Sequence, residues 1–289
     1  MATCLSIVRQ FFAERGVSEV ITPVLAATTI PDPHIHSIAC QLSAKQTMAY
    51  LQTSPEFSMK RLLAAGSGCI YQIAPAFRDD IPSPIHKVEF TLLEWYRVGW
   101  DYQILIAEVH ALLQRFWPDM PLVIYSYQDI FLEMLGIEIS TATLDSLQRL
   151  LQDEAHVTTP FSSIDAALDA AMSLLIQPQL QDIPLVCILD YPLSQASLAK
   201  PSANNPLLAE RFEFFLYGVE LANGFSELTD PVEQRQRFNQ DNKMRQERGL
   251  PIQELDEDFL LALPHMPASA GVALGMDRLF MRWVNAPTI

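Results

Sequence analysis

Between Phe77 and Arg97 the chain reads FRDDIPSPIHKVEFTLLEWYR, two strand-like runs around a polar loop. Side chains alternate along a strand, so Arg78 and Asp80 share one face of the first run, while Phe90, Leu92, Glu94 and Tyr96 share one face of the second. A cation, an aromatic plate and two carboxylates then line one surface. That set suits a ligand with a phosphate, a flat base and a positive charge, such as ATP together with a cationic amino acid. An edge hairpin with solvated charges would present the same pattern, so two further stretches bear on the choice.

The first is RFEFFLYGVELANGFSELTD, from Arg211 to Asp230. A hairpin turning at Tyr217 and Gly218 would pair Leu216 with Val219 and set Phe215 opposite Glu220. Glu213, two residues before Phe215, then lies on the same sheet face as Glu220. Two like charges so close are costly unless a cation sits between them, and magnesium bridging ATP phosphates is one answer. Two solvated carboxylates on an open hairpin are the alternative. Asn223, Phe225 and Glu227 alternate onto one face beyond it, although reaching them from Glu220 breaks parity and requires a bulge, for which Gly224 is suited. Glu227, Glu94 and Tyr96 would form an acidic pocket with a phenol in its wall. A lysine-like ammonium fits there, whereas a neutral side chain would leave buried carboxylates unpaired. The second stretch is GVALGMDRLF, Gly271 to Phe280, in which Gly275 allows close backbone approach and Asp277 and Arg278 open a helix.

The elements needed to hold these groups are legible. Leu5 to Arg15 reads as an amphipathic helix with Leu5, Val8 and Phe12 on its stripe and Gly16 as its stop, followed by a strand through VSEVITP. TSPEFSMKRLLAAG, from Thr53, reads as a helix with Ser54 as cap, Pro55 at its first position and Gly66 as stop. Glu56 falls in its first turn, where the helix dipole alone would favour a carboxylate. Residues 28–50 read as loop and short strand. His34 and His36 lie there without a partner at metal-ligand spacing, so they read as ordinary loop histidines. Asp101 to Trp117 reads as a further helix. Residues 127–181 carry helical patterns, with Ile164, Leu168, Met172 and Leu175 following a cap signal at Ser162 and Ser163. VCILDYP reads as a buried strand, and Lys200, after it, has no assigned role.

Three of these blocks, in order, resemble class II aminoacyl-tRNA synthetases of the lysyl type. Phe77–Arg97 resembles motif 2, Arg211–Asp230 the lysine-specific segment, and Gly271–Phe280 motif 3; the N-terminal helix and strand are similar to motif 1. The resemblance implies an α+β fold: one class II synthetase-like catalytic domain over residues 1–289, an antiparallel sheet flanked by helices, with 127–181 as a helical insertion. It implies that Arg78 binds the α-phosphate and the amino-acid carboxylate, that Asp80 and His86 belong to the loop holding ATP, and that Phe90 stacks on adenine. Glu213 and Glu220 would hold Mg2+ on the ATP phosphates, and Arg278 the γ-phosphate. Arg78 and Arg278 are thus the catalytic candidates, acting by position and charge. Glu56 would take the α-amino group, and Glu94, Tyr96, Asn223, Phe225 and Glu227 the rest of the amino acid. Asp80 stands where the family has Glu, and Lys87 and Val88 replace Asn-Pro. Ala273 replaces a common Gly in the amino-acid pocket, a shape change that could shift preference away from α-lysine by about 1–3 kcal/mol.

Bulk composition narrows the partners. The chain carries 34 acidic residues against 19 Lys plus Arg, a formal charge of −15, and no basic cluster, which argues against a grip on a nucleic-acid backbone. The four cysteines form no C-x-x-C pair, and no apolar run approaches a membrane span, so a cytoplasmic, reduced protein is expected. Motif 1 lies almost at Met1, leaving no room for an OB-fold anticodon module of roughly 70–100 residues. With that module missing, the chain most resembles the elongation factor P β-lysyltransferase family. The expectation is ATP-dependent activation of (R)-β-lysine, or less well lysine, and transfer to a lysine of elongation factor P, by a homodimer formed through motif 1, with tRNA an unlikely acceptor and no membrane involved. An anticodon-independent lysyl-tRNA synthetase-like ligase and a non-catalytic amino-acid-binding regulator are the alternatives.

Overall fold

The computed structural model describes residues 1–289. Its centre is an eight-stranded sheet formed from β1 (Ser18–Glu19), β5 (Ile70–Phe77), β6 (Glu89–Val98), β7 (Val123–Ser126), β8 (Leu185–Leu189), β9 (Arg211–Leu216), β10 (Val219–Ser226) and β11 (Ser269–Gly275). The spatial order is β1-β5-β6-β11-β10-β9-β8-β7, antiparallel from β5 to β8, with a parallel pair at each edge. A small antiparallel sheet of β2 (Leu25–Ala26), β3 (Ala39–Leu42) and β4 (Thr47–Leu51) stands beside it. The fold is α+β, as the resemblance implies.

Alternation along the strands separates core from cavity. On β6, Leu93 and Trp95 enter the main hydrophobic cluster while Leu92, Glu94 and Tyr96 face the opposite side. Helices α1 (Ala2–Ala13), α3 (Tyr102–Leu113) and α9 (Met276–Trp283) cover the core face, burying Val8, Phe12, Leu105, Val109 and Leu279 against Trp95, Phe214 and Val272. The stripe read from Leu5, Val8 and Phe12 is the packed one, with Leu5 at its margin. Asp101 caps α3 by accepting from Ile104 N at 2.9 Å.

Residues 127–181 form α4 (Tyr127–Leu135), α5 (Leu144–Ala155), α6 (Ile164–Ala171) and short π and 3-10 turns. They bury a second cluster against Val186, Ile188 and Phe215 of β8 and β9. Ser163 caps α6 as its sequence suggests. On the cavity side lie α2 (Glu56–Ala64), α7 (Pro231–Glu247) and α8 (Glu257–Ala262). Phe57, Phe238 and Phe259 join these three helices. From α7, Arg237 donates to the carbonyls of Ala196 and Ala199 at 2.6 and 2.7 Å, and Arg245 to that of Asp32 at 3.0 Å. These contacts brace the loops that rim the cavity.

Four local features differ from what the sequence pattern predicts. The strand expected over VSEVITP pairs only at Ser18 and Glu19, with Val20 N still donating to Tyr71 O at 2.9 Å. At α2 the cap position is Pro55, and Ser54 Oγ accepts from Glu56 N at 3.3 Å. Strand β5 ends at Phe77; Arg78 N continues the ladder to Val88 O at 2.9 Å, and Asp80 sits in the loop, because the two aspartates and two prolines that follow interrupt pairing. The bulge in β10 lies between Glu220 and Ala222, not at Gly224. Gly224 serves another purpose: a Cβ there would meet the Phe212 ring at 2.5 Å and Val272 Cβ at 2.7 Å.

Candidate active site

One cavity of about 360 Å³ collects Arg78, Asp80, His86 and Phe90 with Glu220 and Arg278 at one end, and Glu56, Glu94, Tyr96, Phe225 and Glu227 at the other. Asn223 and Ala273 line it between them. Register explains the convergence. Ala273 pairs with Glu94 on one side and with Asn223 on the other, and Gly271 pairs likewise with Tyr96 and Phe225, so three adjacent strands present matching rows. Glu213 is the exception among the residues singled out: it opens into an adjoining pocket of about 280 Å³, which shares Glu220, His86 and Arg278 with the first.

The basic end is built from two arginines on different elements. The Arg78 guanidinium lies 5.2 Å from the Phe90 ring centroid, and its buried Nε has no hydrogen-bond partner. Burial pulls its pKa down, against the carboxylates of Glu220 and Asp80, but an arginine stays cationic. Arg278, two residues into α9, donates to Glu220 O at 2.7 Å and to His86 Nε2 at 3.0 Å, and its Nη1 lies 3.5 Å from Glu220 Oε2. His86 must therefore be neutral at Nε2 to accept; burial, and then the Arg278 charge, hold its pKa low. Asp277 does not pair with Arg278. Its carboxylate accepts from Thr91 N at 2.6 Å and pins the start of α9 to β6.

Glu213 and Glu220 share a face across the hairpin as their spacing suggests, with Leu216 opposite Val219 and Phe215 opposite Glu220. The turn uses positive φ at Tyr217 (47°) and Gly218 (72°). Each carboxylate already has a protein cation nearby: Arg211 binds Glu213, which also accepts from Tyr191 Oη at 2.8 Å, and Arg278 faces Glu220. Arginines thus ease the repulsion between the two carboxylates. Burial raises Glu213 to about 7 against the pull of Arg211. No three His, Cys, Asp or Glu side chains converge as a metal cage. His34 and His36 share no such site, and His34 Nε2 meets Arg248 at 3.3 Å. Lys200 is exposed and lies outside the cavity lining.

The acidic end is drier. Glu94 and Glu227 are 2% and 4% exposed, and Tyr96 donates to Glu94 at 2.5 Å. Burial raises both carboxyls to about 8; the neighbouring Glu56 adds to this, and the Lys60 ammonium opposes it. The Tyr96 phenol is held well above its usual range by burial and by Glu94. Three further residues, with no role legible in the sequence pattern, shape this end. Lys60 ion-pairs with Glu56 at 2.6 Å and with Glu227 at 2.5 Å. Its i,i+4 spacing from Glu56 was the available signal. Gly271 has no room for a side chain, since a Cβ would meet Glu227 Oε1 at 2.3 Å and Tyr96 Cε1 at 2.4 Å. Arg211 orients Asn223, donating to its Oδ1 at 3.2 Å.

Comparison with known proteins gives the family. The family described as tRNA synthetases class II (D, K and N) matches residues 1–289. The chain belongs to the class II tRNA synthetase family. Within this family it is 43% identical to the elongation factor P–(R)-beta-lysine ligase of Vibrio cholerae serotype O1, over 97% of this chain and 89% of that protein. It is 42% identical to the ligase of the same name from Histophilus somni strain 2336, over 100% of this chain and 91% of that protein. For the Vibrio vulnificus ligase the identity is 44%, over 97% and 89%. No helix is long and apolar enough to cross a membrane, and all four cysteines are free.

Proposed function

We propose that this protein uses ATP to activate a lysine, (R)-β-lysine in preference to α-lysine, as an acyl-adenylate and passes the acyl group to a lysine ε-amine of elongation factor P. The observation that carries this reading is the charge layout of a single cavity. A guanidinium with an unpaired Nε beside an aromatic plate stands at one end, and buried carboxylates with a phenol stand at the other. The names of the similar ligases support the acceptor and the β-amino acid.

In the first step the substrate carboxylate attacks the α-phosphorus of ATP in line and pyrophosphate leaves. Arg78 offsets the charge that gathers on the phosphoryl oxygens, and Arg278 holds the departing end, so position and charge supply the catalysis. Phe90 stacks on the adenine. Asp80 and His86 steady the loop over the nucleotide. Glu220 and Glu213 would hold Mg2+; a pair of carboxylates suits an ion that takes its other oxygens from phosphates and water, and the ion would supply further neutralisation of the phosphate charge. In the second step the acceptor amine attacks the acyl carbonyl, AMP leaves with the C–O bonding pair, and the amine proton passes to solvent.

At the other end Glu56 takes the backbone-side ammonium and Glu94, Tyr96 and Glu227 the ε-ammonium, while Asn223 and Phe225 fill the wall between. Ala273 narrows the floor. We read residues 1–289 as one catalytic unit with 127–181 as an insertion, working in the cytoplasm as a homodimer through the motif 1 helix and strand.

The test is amino-acid-dependent ATP–pyrophosphate exchange with (R)-β-lysine and α-lysine side by side, followed by acyl transfer to purified elongation factor P and, under matched conditions, to tRNA. Exchange favouring β-lysine with label appearing on elongation factor P is the expected result. Charging of tRNA but not of elongation factor P would overturn the acceptor, and silence with both amino acids would overturn the enzyme reading.

A further inference from the structure

Lys60 has no part in the reaction just described, yet it is the most enclosed cation at the site. Its side chain is 1% exposed, and its Nζ lies between Glu56 and Glu227. The rings of Phe225 and Phe259, from β10 and α8, lie 5.1 and 5.9 Å from the nitrogen. Glu94 faces it from β6, with the Tyr96 hydroxyl bound to Glu94. A methionine of similar length would fill this volume without the cost of desolvating a charge. The electrostatic surroundings supply a reason for lysine: burial works against the ammonium, but the two carboxylates outweigh it and raise its pKa.

We infer that Lys60 is a specificity-determining residue of the amino-acid pocket: its ammonium offsets one of three carboxylates and ties Glu56 to Glu227, matching the pocket to a ligand with two ammonium groups at a short, set separation. This deepens the function proposed above and rests on it. With all three ionised, as an ammonium ligand would favour, Glu56, Glu94 and Glu227 less Lys60 leave two negative charges. A diammonium acid meets both, with its own carboxylate turned to Arg78, whereas an acid with a single ammonium leaves one buried carboxylate unpaired. The tie also sets distance. Glu56 and Glu227 share one nitrogen, so the free oxygens that would receive the ligand cannot spread apart. β-Lysine has one carbon fewer between its nitrogens than α-lysine, so loosening the tie should change how well the two are told apart.

The test compares wild type with Lys60→Met, and with the double variant Lys60→Met/Glu56→Gln, in ATP–pyrophosphate exchange over about pH 7–9. Wild type that answers to neither lysine would sink the function itself, separately from the role of Lys60. If wild type is active, Lys60→Met is expected to raise the amino-acid KM about tenfold or more and to blur the choice between β- and α-lysine, with the ATP KM unchanged. Without the ammonium the carboxyls keep their protons to higher pH, so the variant's amino-acid KM should fall as pH rises, more steeply than in wild type. The double variant removes a cation and a carboxylate together, and its pH profile should return toward wild type even though its KM stays high. An unaltered KM and β/α ratio in Lys60→Met, or a profile as displaced in the double variant as in the single, would overturn the inference. ATP binding by each variant, followed by the shift in melting temperature, separates these outcomes from misfolding.

Discussion

The two ends of the cavity are built on opposite principles. At the acidic end, Glu94, Tyr96, Phe225 and Gly271 ride on three hydrogen-bonded strands, α2 brings Glu56 and Lys60, and the carboxylates of Glu94 and Glu227 are almost fully enclosed. At the basic end, Asp80 and His86 sit on a loop, and Glu220 is 40% exposed in its side chain. Arg78 has an unpaired Nε there. A site that must discriminate between isomers differing in the position of one amino group needs rigid, dry walls, since only there does a small misfit carry a large free-energy difference. A site for a triphosphate needs strong charge and room for the chain to close on it, which a loop provides. The acidic end is therefore where substitutions should alter which amino acid is used, and the basic end where they should alter rate.

Arg78→Ala should have the largest effect. Loss of charge at the α-phosphate is expected to lower exchange by on the order of 10²–10³-fold, while a binding assay in the absence of ATP still detects the amino acid. Exchange at the wild-type rate would remove Arg78 from the reaction. Glu227→Gln removes a partner from a buried ion pair, a change that costs about 3–5 kcal/mol. Calorimetry should register it as a lower melting temperature together with a raised amino-acid KM, and an unchanged KM would show that Glu227 is only structural.

Ala273→Gly should move the β/α-lysine ratio toward α-lysine by about 1–3 kcal/mol, read from kcat/KM for the two substrates, with little change for ATP. A ratio that stays put would remove Ala273 from specificity. The effect of pH on stability has a defined sign. Glu94 and Glu227 bind protons more tightly folded, at about 8, than in the unfolded chain, near 4.5. Their contribution to stability is thus fully present below about pH 4.5 and is lost as pH rises through about 8. Glu94→Gln does not titrate, so the wild-type melting temperature should drop relative to that of the variant across this window, and parallel curves would contradict the raised values. Asp80→Asn should be mildest, under about 1 kcal/mol in the ATP KM, because the loop leaves the carboxylate partly solvated.

How much of this was legible in the chain differs by residue. The faces of β6 and the hairpin around Tyr217 and Gly218 follow from a period of two and a turn that needs positive φ, both local properties. The bulge was anticipated from broken parity but placed at Gly224 rather than beside Leu221. A glycine can mark either a bulge or a close approach, and only its neighbours in space tell which. Arg211 and Lys60 escaped notice for a related reason: a charged residue in a strand or helix reads as solvated until its burial is known.

The sequence by itself determined the strand alternation, the Ser163 cap of α6, the order of the three motif-like blocks and the acidic charge balance, because each depends on residues close along the chain or on composition. Only the tertiary structure decided that Lys60 joins Glu56 to Glu227, that Gly271 lies beneath Tyr96 and Glu227, and that arginines rather than empty space face Glu213 and Glu220. Those outcomes depend on strand register and helix docking, which bring together side chains from distant parts of the chain. No local pattern specifies which of several acids a buried cation will meet.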